Sequence, residues 1–222
     1  MKTTIIIPTR NEERMIKEII EGCRPFGDEI LVIDGHSTDR TREIAESLNA
    51  RVILDNGKGK GSGLILGLKE AKHEIIVFID ADGSHDPRDI PEMIAPIQQG
   101  QADLVVGSRM RGGSDELHGD IGKFIRIIGS DIITLSINYR FGVRLTDSQN
   151  GFRAIRRKVG LAIDLKEDIF TIEQEMIIKT LKNGYKIEEI PSHEYERKFG
   201  DSGIVVWKVA HRYVWCLIKN IF

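Results

Sequence analysis

The stretch VFIDADGSHDP, residues 77 to 87, runs an apolar strand into Asp80, Asp82, His85 and Asp86, side chains able to hold a metal or move a proton. In a parallel α/β sheet ligands gather at the carboxyl ends of strands, which is where this cluster falls. An EF-hand calcium loop beginning at Asp80 would need Gly at its sixth position and Glu at its twelfth, and those places hold His85 and Pro91. A dehalogenase-like phosphatase also puts Asp-x-Asp after a strand, but there the strand opens the fold, whereas this one is fourth. Asp86 before Pro87 reads as a helix cap. For Asp80 and Asp82 there remains a divalent cation, Mg²⁺ or Mn²⁺, held by one or two carboxylates and by substrate phosphates, which predicts a nucleotide diphosphate ligand. PTRNEE follows the first strand, LVIDGHSTDRT the second and DNGKGKGSG the third, all on the same edge of the expected sheet. The glycine-rich segment is no Walker loop, because Lys60 is followed by Gly61, and a nucleotidyltransferase would carry its glycine-rich loop where PTRNEE stands.

The elements that must position these groups follow from periodicity. Thr3 to Ile7, Glu29 to Ile33, Arg51 to Leu54, Glu74 to Ile79 and Asp103 to Val106 are short Ile/Val-rich runs, the mark of strands buried on both faces. Asn11 to Gly22, Asp39 to Leu48, Gly61 to Lys72 and Asp89 to Gln98 carry apolar residues at helical spacing, with Gly22 read as a helix stop. Strand then helix, repeated, predicts a doubly wound α/β fold. Beyond residue 108 a glycine-rich loop (109 to 122) leads to an apolar helix (Lys123 to Tyr139), a turn at Thr146 to Gly151, strands at Phe152 to Ile155 and Tyr185 to Ile190, and a helix across Glu173 to Lys182. The last segment, Ile204 to Phe222, reads as an amphipathic helix bearing Trp207, Lys208, His211, Arg212, Tyr213, Trp215 and Lys219, suited to core packing or to a membrane surface.

The whole chain of 222 residues, 41% hydrophobic and 30% charged, fits a single globular domain. A formal net charge of -2 excludes a general affinity for nucleic acid or anionic membrane. Cys23 and Cys216 have no metal-ligand spacing and suit a reducing compartment. The N-terminus is too short in apolar residues for a signal peptide, and no stretch approaches the roughly 18 apolar residues of a membrane span, so a cytoplasmic location is expected.

The series IIIPTRNEE, VIDGHSTDRT, NGKGKGSGLILGLKEA, VFIDADGSHDP, VVGSRM, DSQNGFRAIRR and NGYKIEEIP resembles the family 2 glycosyltransferases of the GT-A fold, and within them the dolichyl- or polyprenyl-phosphate sugar synthases. The resemblance implies a Rossmann-like three-layer sandwich around a mostly parallel sheet, in one domain of two halves: residues 1–108 for the nucleotide sugar and 109–222 for the acceptor. It also implies that Pro8, Arg10 and Glu12 border the base and ribose, with Arg10 where many relatives have an aromatic residue. Asp34 is implied to contact the base or ribose, with a turn-closing role as the bland reading. Lys58 and Lys60 would meet the nucleotide, and Asp80, Ala81 and Asp82 form the Asp-x-Asp of the metal site. Gln174 and Glu175 match polar positions on the active-site side of a helix, which adds Gln174 to the metal-site candidates. Arg109 would hold an acceptor phosphate, joined by Lys123 and Arg126 one helical turn apart, and Arg197 would close over the donor diphosphate. Gly203 stands where relatives often carry Lys.

The implied reaction is an inverting, metal-dependent transfer of a hexose from a GDP- or UDP-sugar to dolichyl or polyprenyl phosphate. A lipid monophosphate, with a second pKa of about 6, is already an anionic nucleophile at neutral pH and needs cations rather than a base. A sugar hydroxyl acceptor would need a base, and Asp147 is the residue placed to serve. Transfer to a sugar or other non-lipid acceptor is therefore the alternative, and a catalytically silent nucleotide-binding scaffold is the alternative of another class. A lipid acceptor also implies peripheral membrane contact on the cytoplasmic face, through the helix beginning at Lys123 and the C-terminal helix.

Overall fold

A computed structural model describes residues 1–116, 121–199 and 206–222, the side chains of residues 121 and 206–208 excepted. Gly203, and the start of the C-terminal helix expected at Ile204, lie outside the described residues, as do the side chains of Trp207 and Lys208. The described strands are β1 (Thr3–Thr9), β2 (Glu29–Asp34), β3 (Arg51–Leu54), β4 (Ile75–Phe78), β5 (Leu104–Ser108), β6 (Arg153–Arg156) and β7 (Ile187–Pro191). The helices are α1 (Ile16–Cys23), α2 (Thr41–Ser47), α3 (Lys60–Glu70), α4 (Ile90–Gln98), α5 (Arg109–Gly112), α6 (Ile121–Phe141), α7 (Arg157–Ala162), α8 (Ile172–Lys182) and α9 (Val206–Ile221).

The strands form one sheet in the order β3-β2-β1-β4-β6-β5-β7. Every pairing is parallel except those of β6, which runs antiparallel to both β4 and β5. Because β6 comes from the second half of the sequence and lies between strands of the first, the two halves share a single sheet. Side chains alternate across it. Ile5, Ile7, Val32, Val77 and Val105 pack with Ile16 and Ile20 of α1, Ala45 of α2 and Met93 and Ile97 of α4. Ile6, Leu31, Ile33, Ile76, Phe78 and Val106 pack on the other face with Leu64 and Leu68 of α3, Val159 of α7, Ile133 and Ile137 of α6, and Met176 and Ile177 of α8. Each such side chain buried fully contributes roughly 1.5–3 kcal/mol. These two cores give three layers, as the resemblance implies.

Gly22 is not a helix stop: it lies inside α1, where a Cβ would come 3.0 Å from the Pro87 ring, so the glycine allows close packing of α1 on the segment after the Asp-x-Asp. The helix starts later than expected because Asn11 takes a left-handed conformation (φ 59°) and its Oδ1 accepts from Thr38 N at 2.8 Å, tying the end of β1 to the loop after β2. Cys23 and Cys216 are both buried free thiols, and no helix among the described residues is long and apolar enough to cross a membrane.

Candidate active site

A cleft of about 540 Å³ opens at the carboxyl ends of β1 to β4. Its walls come from Pro8 at the end of β1, Arg10 and Glu12 beyond it, Gly35 after β2, Asp55 after β3, Lys58 just before α3 and Lys60 at its start, and Asp80 to Asp82 after β4. Arg109, Arg126, Gln149 to Gly151, Glu173, Glu194, Arg197 and Tyr213 close it from the second half of the chain.

Backbone geometry sets the two aspartates. Gly83 has φ 78°, a left-handed conformation that favours glycine, and a Cβ there would fall 2.8 Å from Met15 Cε. The turn lets Asp82 Oδ1 accept from Ser84 N at 3.0 Å and from Ser84 Oγ at 2.6 Å. Asp82 Oδ2 faces Arg197 Nη2 at 3.1 Å. Asp80 pairs with Lys60, whose Nζ is 2.8 Å from Asp80 Oδ1 and 3.2 Å from Glu173 Oε1. Burial works against charge on both partners, yet the mutual attraction wins: Asp80 is held below the usual carboxylate range and Lys60 above the usual amine range. Among the described residues Glu12 has no cation in ion-pair contact. Burial first, and then the charge of Asp82, push its carboxyl up to about 7.

The surroundings of Arg109 are more constrained than the sequence suggests. Arg109 Nε is 2.6 Å and Nη2 3.0 Å from the two oxygens of Asp147, and Nη1 is 3.2 Å from Glu194 Oε1. Asp147 also accepts from the backbone N–H groups of Arg109 and Gln149. Burial opposes its ionisation, but Arg109 holds it below the usual range. Asp147 is thus 2% exposed with both oxygens occupied, and it is absent from the cleft lining. Its expected role as a general base is corrected to that of a clamp on Arg109.

Two further expectations, for Asp34 and Gln174, are corrected, and Lys123 is placed outside the cleft lining. Asp34 is fully buried, and its Oδ2 accepts from Ser37 N at 3.0 Å, closing the turn after β2; Asp55, one strand further, lines the cleft instead. Gln174 is fully buried and donates from Nε2 to the carbonyl of Tyr213 at 3.1 Å, tying α8 to α9, so it is no metal ligand; its neighbour Glu173 is the one that faces the cleft. Lys123 is not among the lining residues, whereas Arg126, one turn on, is. The glycines beside Lys60 have a packing reason: a Cβ on Gly61 would fall 2.4 Å from Glu167 O, and one on Gly59 2.7 Å from Asp168 O.

Arg153 was not singled out by sequence reasoning, though an arginine in the middle of FRAI is a signal in itself. It is 1% exposed, and burial pushes its guanidinium down to about 10. It donates to the carbonyls of Asn150 (2.6 Å), Ser148 (2.9 Å) and Glu173, joining the turn before β6 to the first turn of α8. His85, also in the lining, stacks on Phe152 with ring centroids 5.2 Å apart, and burial holds it below its usual pKa.

What the arrangement can do chemically follows from its donor set. Asp80 and Asp82 present hard carboxylate oxygens to a cleft that also holds Lys58, Lys60, Arg109, Arg126 and Arg197, a combination suited to a divalent cation with a polyphosphate. That both carboxylates are paired with Lys60 and Arg197 fits a site whose negative charge calls for cations.

Comparison with known proteins agrees with this layout. An uncharacterized protein of Methanocaldococcus jannaschii is 33% identical over 95% of this chain and 90% of its own length. The UDP-N-acetylglucosamine–dolichyl-phosphate N-acetylglucosaminyltransferase of Methanococcus voltae is 30% identical over 94% of this chain and 93% of its own length. Among solved structures, glucosyl-3-phosphoglycerate synthase from Mycobacterium tuberculosis, in complex with Mn²⁺, UDP and glucosyl-3-phosphoglycerate, superimposes with a TM-score of 0.76 at 21% identity, covering 99% of this chain and 80% of that one. The fold is the GT-A fold. Residues 4–160 match the family model of Glycosyl transferase family 2, and the chain belongs to that family.

Proposed function

We propose that this glycosyltransferase moves a hexose from a nucleoside diphosphate sugar to the phosphate of a dolichyl or polyprenyl phosphate, with inversion at the anomeric carbon. The observation that carries the reading is the continuity of the charged cleft with an apolar surface. Arg126 of α6 and Tyr213 of α9 line the cleft, and the same two helices turn apolar rows outward. On α6 the row is Phe124 (61% exposed), Ile128, Ile132, Leu135 and Tyr139 (94%); on α9 it is Val214, Trp215 (64%) and Ile218, with Phe222 (84%) just past its end. Spacing of three and four residues puts each row on one helix face. An apolar face beside a cationic cleft suits a substrate with a phosphate head and a hydrocarbon tail, and supports peripheral contact with a membrane surface.

In this reading Asp80 and Asp82 would hold Mg²⁺ or Mn²⁺, which would supply positive charge to the donor's diphosphate. Arg197, now on Asp82, is placed to turn its guanidinium to the same phosphates. The acceptor phosphate oxygen forms the new bond to C1 as the C1–O bond to the diphosphate breaks, and the bond's electron pair leaves with the nucleotide. Arg109 and Arg126 orient that phosphate. No side chain need remove a proton, which agrees with the occupied state of Asp147. The first relative with a stated activity named above acts on a dolichyl phosphate, which supports the same acceptor class.

A second reading, transfer to a soluble acceptor, is favoured by one observation: Arg109 is already paired with both Asp147 and Glu194, so a lipid phosphate must compete for it. Incubation of the protein with labelled UDP-GlcNAc, UDP-glucose or GDP-mannose, dolichyl phosphate in detergent and Mn²⁺ separates the two. Label entering the organic phase supports the lipid acceptor. Metal-dependent donor binding with no lipid product, for any donor, rejects it.

A further inference from the structure

The internal ion pairs leave one wall of the cleft with unsatisfied atoms. Glu173 is 4% exposed; its Oε1 meets Lys60, while its Oε2 is buried and has no hydrogen-bond partner. Gln149 Oε1 and His85 Nδ1, in the same cleft, are buried and unpartnered too. A buried carboxylate oxygen left unpaired is costly, and groups of this kind in a cleft mark a ligand that completes them.

The wall is built rather than loose. Arg153 binds the carbonyls of Ser148, Asn150 and Glu173, so the turn and the start of α8 are held as one piece. Gly151 presses that turn against the Lys60–Asp80 pair, since a Cβ there would stand 2.9 Å from Asp80 Oδ2 and 3.0 Å from Lys60 Nζ. Lys60 Nζ in turn lies over the Phe170 ring, 5.7 Å from its centre. Phosphate does not suit the open positions, because Glu173 Oε2 and Gln149 Oε1 only accept hydrogen bonds. Hydroxyl groups do, and a hexose carries several.

The geometry points to Glu173 as a specificity-determining residue that accepts a hydroxyl of the donor's hexose, positioned for that task by Lys60 and faced by the turn at Gln149 to Gly151. The inference rests on the nucleotide-sugar reading above and adds to it where the sugar lies and which side chain reads it.

The test compares binding of a bare diphosphate with binding of its sugar conjugate. Calorimetric titrations with Mn²⁺ would use UDP against UDP-glucose and UDP-GlcNAc, and GDP against GDP-mannose, for the native chain and for Glu173→Gln. The expected result is a loss of about tenfold or more for the sugar conjugate, with the bare diphosphate changed by less than about threefold. Glu173→Asp keeps the charge beside Lys60 but withdraws the oxygen by one methylene, and is expected to show the same selective loss. A donor lacking the recognised hydroxyl should then bind the native chain more weakly and the Gln variant no more weakly, a coupling between side chain and hydroxyl. Equal losses for conjugate and diphosphate, or no loss at all, would overturn the inference and leave Glu173 as a counter-ion only. Failure of the native chain to bind any diphosphate with metal would overturn the donor reading itself, and this inference with it; selective failure in the variants alone leaves both standing.

Discussion

The two sides of the cleft answer opposite demands. On the side proposed for the donor, where the ends of β1 to β4 meet Glu173 of α8 and Arg197, charges are drawn inward and matched: Asp80 with Lys60, Asp82 with Arg197, Glu173 with Lys60. On the side proposed for the acceptor, α6 and α9 turn apolar side chains outward and keep polar ties inside, such as Thr134 Oγ1 to Ser148 Oγ at 2.8 Å and Gln174 to Tyr213. The first arrangement suits a polar, multiply charged ligand. The second suits a surface that water does not cover. One sheet carries both because β6, threaded antiparallel between β4 and β5, places the turn at Asp147 to Gly151 directly against Asp80.

The contrast can be broken at several points. The largest effect is expected from Asp82→Ala, which removes a carboxylate from the proposed metal site: metal-dependent donor turnover should fall by about a hundredfold or more, read by initial rates with and without EDTA. Unchanged turnover would remove the donor side from the account. Arg153→Met takes the donor from the buried carbonyls of Ser148 and Asn150 and removes the tie to Glu173 of α8, and urea unfolding should show a loss of about 3 kcal/mol or more. A loss under about 1 kcal/mol would mean that the turn and α8 are not joined through this guanidinium.

Replacing Leu135 and Trp215 together by Ser should lower co-sedimentation with anionic vesicles about tenfold while leaving calorimetric binding of nucleoside diphosphate alone. Equal vesicle binding by both proteins would show that the outward rows serve another surface. The smallest effect concerns Glu12. Its carboxyl, raised to about 7 in the folded chain, keeps a proton that the unfolded chain releases near the ordinary value of 4.5. The stability this brings is full below about 4.5 and is lost as pH rises through about 7. Glu12→Gln cannot ionise, so without divalent cation it should raise the melting temperature at pH 8 and give no gain at pH 4.5. A gain of the same size at both pH values would contradict the assigned shift.

The strands were legible because runs such as TTIIIPT and EILVID are apolar on both faces, and burial on both sides of a sheet demands just that. The helices α5 and α7 were not, since four and six residues are too few to show a period. In the site, Asp80, Asp82, Arg109 and Arg197 stood out by motif, and all four line the cleft. Glu173 and Gln174 show what pattern alone lacks: neighbours on a helix point about 100° apart, so an error of one position exchanges a cleft residue for a core one. Asp55 was passed over because DNG reads as a turn, and Asp34 was preferred although its carboxylate closes its own turn. Asp147 looked free because its partner Arg109 lies 38 residues away in the chain.

The central claim is that the cleft passes a sugar to a lipid phosphate without a protein base. The most direct measurement is the rate of label transfer, with Mn²⁺, to dolichyl phosphate and to dolichol over the range pH 6 to 9. The account predicts transfer to dolichyl phosphate only, abolished by EDTA. Transfer to dolichol at a comparable rate, or label confined to the aqueous phase while donor is consumed, would contradict it.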